Sequence, residues 1–184
     1  MKDYVADAKE RMTHAVEATV RDFQTIRTGR ASPAMLDRIE VEAYGTPMPV
    51  NQLANISVPE PRQLLIQPFD KSTTQAIEKA IQKSDLGINP IVDGMGIRLT
   101  IPQMTEDRRK ELVKQVHARA EEGCVAVRNV RRDAIDHLKK AEKAKEMSED
   151  ELKRHEAEVD KLAHKYVDDI HDHQKKKDAE LMEV

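Results

Sequence analysis

The hydrophobic positions of the chain follow two periods, and the change of period divides the sequence into three segments. Between residues 5 and 26, apolar residues recur at steps of three and four, which predicts one amphipathic helix. The same period returns at Thr105 and continues almost to the C-terminus. Because Pro33 disfavours helical geometry in the residue before it, the first helix is expected to end near Arg30.

The segment 31–104 contains all eight prolines and four of the six glycines, and its apolar residues alternate with polar ones. Alternation of this kind is typical of half-buried strands. It predicts strands over residues 39–43, 63–67 and 97–101, a helix over 72–84, and turns at 44–47 and 93–96. We therefore expect a small α+β domain.

Two further helices are predicted after the α+β segment. Thr105 is placed to cap the first, whose apolar face comprises Val113, Val116, Ala120, Cys124, Val127, Val130, Ala134, Leu138 and Ala141. Ser148 and Glu151 form a capping box that starts the second, whose apolar residues include Leu152, Val159, Leu162, Tyr166, Val167, Ile170 and Leu181. Helices this long cannot bury their apolar faces alone.

The predicted fold class is therefore α+β: an elongated three-helix bundle, residues 1–30 and 105–184, with a small α+β domain, residues 31–104, inserted between its first two helices. Such an insertion connects the domains by two chain crossings, near residues 29–33 and 102–105. Neither crossing has the apolar periodicity that would pack it rigidly, so we expect a hinge.

Composition limits the possible classes of protein. Of 184 residues, 35% are charged and 3% are aromatic, and the formal net charge is −3. No apolar run approaches the roughly 18 residues of a membrane span, and no secretion signal begins the chain, so a cytoplasmic protein without a membrane partner is expected. The single cysteine excludes an internal disulfide.

No catalytic constellation is recognisable. The sequence lacks a phosphate-binding loop, a metalloprotease motif and paired cysteine motifs, so neither a catalytic site nor a nucleotide cofactor is expected. His171 and His173 point to different sides of a helix, which argues against a metal site. Cys124 lies on an apolar face and is interpreted as a buried small side chain.

Charge is distributed unevenly along the two C-terminal helices. Residues 105–145 hold twelve Lys and Arg against eight Asp and Glu, whereas residues 146–173 hold four against ten. Arg128, Arg131 and Arg132 share one flank of their helix and form a candidate RNA-backbone site, which Arg27 and Arg30 could join. The alternative is that these arginines pair with the acidic third helix.

Several strings of the sequence resemble the ribosome recycling factor family, in its order and with its spacing. They are RTGRASP at 27–33, YGTP at 44–47, SDLGINP at 84–90, TEDRRK at 105–110 and AVRNVRRDA at 126–134. The similarity extends over essentially the whole chain.

The resemblance implies a monomeric translation factor that binds the large ribosomal subunit, through its 23S-type RNA, after peptide release. Together with elongation factor G and GTP, such a factor separates the ribosomal subunits and releases mRNA and tRNA. The family's RNA contacts correspond to Arg27, Gly29, Arg30, Arg128, Arg131 and Arg132. Its hinge corresponds to Arg30 and Ala31 on one crossing and to Met104 and Thr105 on the other.

Without the resemblance, two other classes stay open. A helical adaptor or chaperone could offer its bundle face to a protein, and a small enzyme could hide a site in the α+β domain. RNA binding through phosphates weakens steeply with salt, whereas protein binding in an apolar groove does not.

Overall fold

The computed structural model describes residues 2–183 and divides the chain into two compact units. One combines the N-terminal residues through Arg27 with Thr105–Glu183, and the other is Thr28–Met104. In the described residues the helices are α1 Tyr4–Thr25, α2 Val50–Leu53, α3 Thr74–Lys83, α4 Glu106–Lys143 and α5 Glu149–Met182. The strands are β1 Glu40–Ala43, β2 Thr46–Pro49, β3 Ala54–Glu60, β4 Gln63–Pro68, β5 Ile91–Asp93 and β6 Gly96–Thr100. No helix in this part of the chain has the length and apolar character needed to cross a membrane.

Side-chain caps determine where the three long helices begin. Asp3 accepts a backbone N–H at 3.0 Å at the start of α1, and Thr105 accepts one at 3.1 Å at the start of α4. At the start of α5, Ser148 and Glu151 each accept the other's backbone N–H, at 3.1 and 3.3 Å. The capping box predicted from the sequence is confirmed, and each cap satisfies N–H groups that a helix leaves unpaired.

The first helix ends at Thr25, five residues before the end expected near Arg30. Ile26 is already extended, and its N–H donates to the carbonyl oxygen of Phe23 at 3.1 Å. Further on, the N–H of Ala31 donates to the carbonyl oxygen of Pro61 at 2.7 Å, which holds this segment against the strands. The first crossing between the units consequently follows Arg27.

One face of each long helix is buried inside the helical unit. On α4 the buried residues are Leu112, Val116, Ala120, Gly123, Cys124, Val127, Val130, Ala134, Leu138 and Ala141. This set agrees with the predicted face except that Gly123 is added and that Leu112 replaces Val113, which is half-buried. The facing residues are Ala8, Met12, Thr19 and Phe23 on α1 and Val159, Ala163, Tyr166, Ile170 and Leu181 on α5. Burial of each large aliphatic side chain contributes about 1.5–3 kcal/mol, so packing maintains the bundle.

The second unit contains a four-stranded antiparallel sheet and a separate hairpin. The order of strands in the sheet is β3-β4-β6-β5, and β1 pairs with β2. Its core joins α3 to the sheet through the fully buried side chains of Ile77, Ile81, Leu64, Ile66, Ile97 and Leu99. The predicted α+β architecture of a helical bundle with a small β domain is confirmed.

Two details of this unit differ from the sequence-based expectation. Tyr44 and Gly45 both have positive φ, 54° and 79°, and make a two-residue hairpin turn, so Thr46 and Pro47 belong to β2 rather than to the turn. Strand β3 was not predicted, because its polar residues and Pro59 obscure the alternation. The turn predicted at residues 93–96 is confirmed between β5 and β6.

We predict that Gly123→Ala destabilises the helical unit. A Cβ at this position would overlap the Thr19 hydroxyl and lie 3.2 Å from Cδ1 of Ile170, because α1, α4 and α5 approach closely there. Alanine favours the helix by about 1 kcal/mol over glycine, and overpacking costs about 1–3 kcal/mol. Urea unfolding should show a lower free energy of unfolding for Gly123→Ala than for the unmutated chain. The double variant with Thr19→Ala should recover this stability. A gain of stability in Gly123→Ala alone would contradict the packing argument.

Candidate RNA interface

The two exposed flanks of α4 are identified by the helices that their side chains contact. On one flank, Arg131 and His117 reach α5, with Arg131 Nε 2.6 Å from Asp160 and His117 Nε2 2.7 Å from Asp178. On the other flank, Arg119 pairs with Asp22 of α1 at 3.6 Å. Residues that directly follow a buried position therefore face α5, and residues that directly precede one face α1.

Of the three arginines predicted to bind RNA, Arg128 and Arg131 lie on the α5 flank, whereas Arg132, midway between the buried Val130 and Ala134, lies on the side opposite the buried face. Arg128 follows the buried Val127, and its Nη1 donates to Glu121 Oε1 on the same helix at 3.3 Å. Arg131 Nε donates to Asp160 Oδ1 on α5 at 2.6 Å. Arg132 is exposed and has no ion pair with any residue between 2 and 183.

The alternative, that these arginines pair with the acidic third helix, holds for Arg131 alone. Its side chain is 45% exposed and that of Asp160 is 46% exposed, so both groups remain in contact with water. Ion pairs at such positions contribute about 0–1 kcal/mol to stability. A phosphate oxygen can therefore compete for the Arg131 guanidinium, and Arg128 and Arg132 do not depend on α5 at all.

Arg27 is not brought next to the arginines of α4. Two ion pairs show that α1 and α4 run antiparallel. Arg11, early in α1, pairs with Asp133, late in α4, at 3.2 Å, whereas Asp22 pairs with the earlier Arg119. Arg119 lies nine positions before Arg128, which is about 13 Å along the axis at 1.5 Å per residue. Arg27 follows Asp22 by five residues, in the direction away from Arg128. Within the helical unit, Arg27 and the arginines of α4 therefore form separate patches of the candidate site.

Gly29 and Arg30 belong to the second unit, at the crossing between the units. A Cβ on Gly29 would lie 3.9 Å from Cε of Met104, so the Met104 side chain reaches the first connecting segment. The second segment is held by the N–H of Ile101, which donates to the carbonyl oxygen of Arg62 at 2.8 Å.

Cys124 is buried, as predicted, but it has a neighbour that the sequence did not indicate. Its Sγ lies 3.7 Å from Nε2 of His171 on α5. Burial raises the pKa of the Cys124 thiol, so the thiol stays protonated and unreactive. Residues 2–183 contain no group of three or more His, Cys, Asp or Glu arranged to hold a metal ion.

Comparison with known proteins identifies consistent relatives over the full length. The sequence profile of the family described as Ribosome recycling factor matches residues 19–182. The ribosome-recycling factor of Halalkalibacterium halodurans is 56% identical over 183 residues, covering 100% of this chain and 99% of the relative. That of Enterococcus faecalis is 55% identical over 183 residues, with the same coverage.

Two solved structures are also similar. A solution structure of the ribosome recycling factor has a TM-score of 0.71 at 40% identity and covers 100% of both chains. The second is the T. thermophilus ribosome recycling factor, from models of that factor and E. coli elongation factor G bound to the E. coli post-termination complex. It has a TM-score of 0.63 at 43% identity and covers 98% of this chain and 97% of that one.

We predict that Arg131→Ala weakens binding to large-subunit RNA by about 1–3 kcal/mol, the scale of a lost charge-assisted hydrogen bond. Its free energy of unfolding should change by less than about 1 kcal/mol, because the pair with Asp160 is exposed. Asp160→Asn is the matched control, since it removes the same ion pair and leaves the guanidinium free for RNA. If the Arg131→Ala variant unfolds easily and still binds RNA, Arg131 stabilises the helical bundle, and its assignment to the RNA-binding site is wrong.

Proposed function

This chain belongs to the ribosome recycling factor family, and from that premise we propose that it acts in the cytoplasm on ribosomes that have released their peptide. It binds the large subunit through 23S-type RNA as a monomer. With elongation factor G and GTP, it promotes separation of the subunits and release of mRNA and tRNA. The observation that carries the proposal is the 56% identity to a ribosome-recycling factor over 183 residues.

The candidate interface supports this function. Three exposed arginines lie within five residues of one long helix, and a planar guanidinium suits paired hydrogen bonds to phosphate. The aromatic residues of the chain are few, and only Tyr44 and Phe69 are exposed among those of residues 2–183. Binding through the RNA backbone, rather than by stacking on bases, fits this distribution.

The protein contributes binding energy and no catalysis. GTP hydrolysis requires a phosphate-binding loop with a lysine and a Ser or Thr that holds Mg²⁺, and the sequence contains no such string. The nucleotide is therefore hydrolysed by elongation factor G. The long helices act as a lever whose RNA contacts transmit a push received from that partner.

Hinge motion at Arg30–Ala31 and Met104–Thr105 accompanies this role. The two connecting segments are held on the sheet unit at neighbouring carbonyl groups, those of Pro61 and Arg62. Residues 26–30 and 102–104 lie between these anchors and the long helices, and they belong to no helix or strand. Apart from the buried Ile26, rotation about the backbone dihedrals of these residues is the natural source of domain motion.

We expect subunit separation to require this protein, elongation factor G and hydrolysable GTP together. Sedimentation of post-termination ribosomes should show free subunits under that condition, and intact ribosomes with a non-hydrolysable analogue or without elongation factor G. The protein alone should neither bind nor hydrolyse GTP. Efficient catalytic splitting by the protein alone would contradict the lever mechanism.

We also expect the distance between the units to vary in solution. Spin labels at exposed Gln82 of α3 and Gln115 of α4 should give a broad distance distribution that narrows or shifts on the ribosome. Labels at Gln115 and Ala157, both exposed in the helical unit, serve as the rigid control. Cys124 is buried and should not react with the label, which the unmutated chain verifies. One narrow distance that is unchanged by ribosome binding counts against the hinge.

A further inference from the structure

Building on the proposed function, we infer that the RNA-binding surface of α4 continues beyond Arg132 through Lys139 and Lys143. Arg128, Arg132, Lys139 and Lys143 then form one track for a phosphate backbone. We call these four residues the cationic row.

The geometry of α4 places the cationic row within one narrow sector of its exposed surface. Its members stand at positions i, i+4, i+11 and i+15, which at about 100° per residue lie within about 60° of one another. Lys139 directly follows the buried Leu138, as Arg128 directly follows Val127. Arg132 and Lys143 each stand two positions after a buried residue, so the row extends from the α5 flank onto the side opposite the buried face. Because the buried positions keep the helical period to Ala141, this sector keeps its orientation along the helix. The row spans about 22 Å at 1.5 Å per residue.

The charges of the row are largely uncompensated. Arg132, Lys139 and Lys143 are exposed, and none has an ion pair with a described residue. Asp136 and Glu142 lie on the same stretch of helix, but neither forms an ion pair within residues 2–183 either. Like charges at i and i+4 repel each other, both between Arg128 and Arg132 and between Lys139 and Lys143. A bound polyanion would relieve this repulsion.

The opposite flank lacks such a row. Asp133 directly precedes the buried Ala134 and pairs with Arg11 of α1 at 3.2 Å. His137 directly precedes Leu138 and stacks on Tyr4 with ring centroids 5.4 Å apart. Only Lys140, which precedes Ala141, adds a cation there. Positive charge in this part of α4 is therefore concentrated in the sector of the cationic row rather than on the α1 flank.

A phosphate backbone suits the cationic row better than a protein does. Protein interfaces have an apolar and aromatic centre from which charged residues are depleted. Among the described residues of α4, the one large apolar side chain that is well exposed is Val125, which lies before the row begins. The exposed surface from Arg128 to Lys143 thus offers charge without an apolar centre, as expected for contact with RNA.

The adjacent lysines Lys139 and Lys140 provide the test. Binding of Lys139→Gln, Lys143→Gln and the control Lys140→Gln to isolated large ribosomal subunits is titrated with monovalent salt at constant Mg²⁺. Each row variant should reduce the slope of log affinity against log salt by about 0.7–0.9 and lower the affinity. Lys140→Gln should match the unmutated chain, and Lys139→Arg should retain its affinity because the charge is kept.

Two results would overturn the inference while leaving the proposed function intact. In one, Lys139→Gln and Lys143→Gln show the same slope of log affinity against log salt as the unmutated chain. In the other, Lys140→Gln is weakened as much as they are, which would indicate an effect of net charge rather than a track. Failure of the unmutated chain to bind large subunits at any salt concentration would overturn the proposed function and the inference together.

Discussion

The apolar face of α4 must be covered from two sides, and this requirement determines the arrangement of the helical unit. A helix of 38 residues with buried positions from Leu112 to Ala141 exposes too much hydrocarbon to exist alone in water. α1 covers one side and α5 the other, and at Gly123 the packing against Thr19 and Ile170 leaves no room for a Cβ. The surface left over for binding is consequently the exposed side of α4, which extends from one flank across the side opposite the covered face to the other flank.

The sequence predicted the parts of the fold that depend on local periodicity and capping. Long stripes of apolar residues and the Ser148–Glu151 box were sufficient for three helices, because each signal repeats or involves residues three apart. The exchange of Leu112 for Val113 was not predictable, since neighbouring residues on a helix differ by about 100° and the tilt between helices decides which is buried. Strand β3 was missed because its pairing with β4, and not its own pattern, makes it a strand.

In the candidate site, too, the sequence predicted local spacing but not contacts between helices. Spacing alone predicted that Arg128, Arg131 and Arg132 share a flank; in the structure Arg128 and Arg131 lie on the α5 flank, and Arg132 lies on the side opposite the buried face. The Arg131–Asp160 ion pair and the separation of Arg27 from Arg128 depend on the register between antiparallel helices. That register is set by which side chains interlock across the core, and no short stretch of sequence encodes it.

The same helix carries the buried face and the RNA-facing flank, and this sharing restricts how α4 can change in length. Insertion of one residue near Ala134 would rotate every later position by about 100° and shift Lys139 and Lys143 away from Arg128. It would also move Leu138 and Ala141 out of the core, so a single insertion harms stability and binding at once. An insertion of eighteen residues, or five full turns, would restore the angular positions of both the buried residues and the RNA-facing lysines. Shorter insertions leave at least some angular mismatch. Insertions and deletions are therefore expected to be tolerated in the loops of the sheet unit far more readily than within α4.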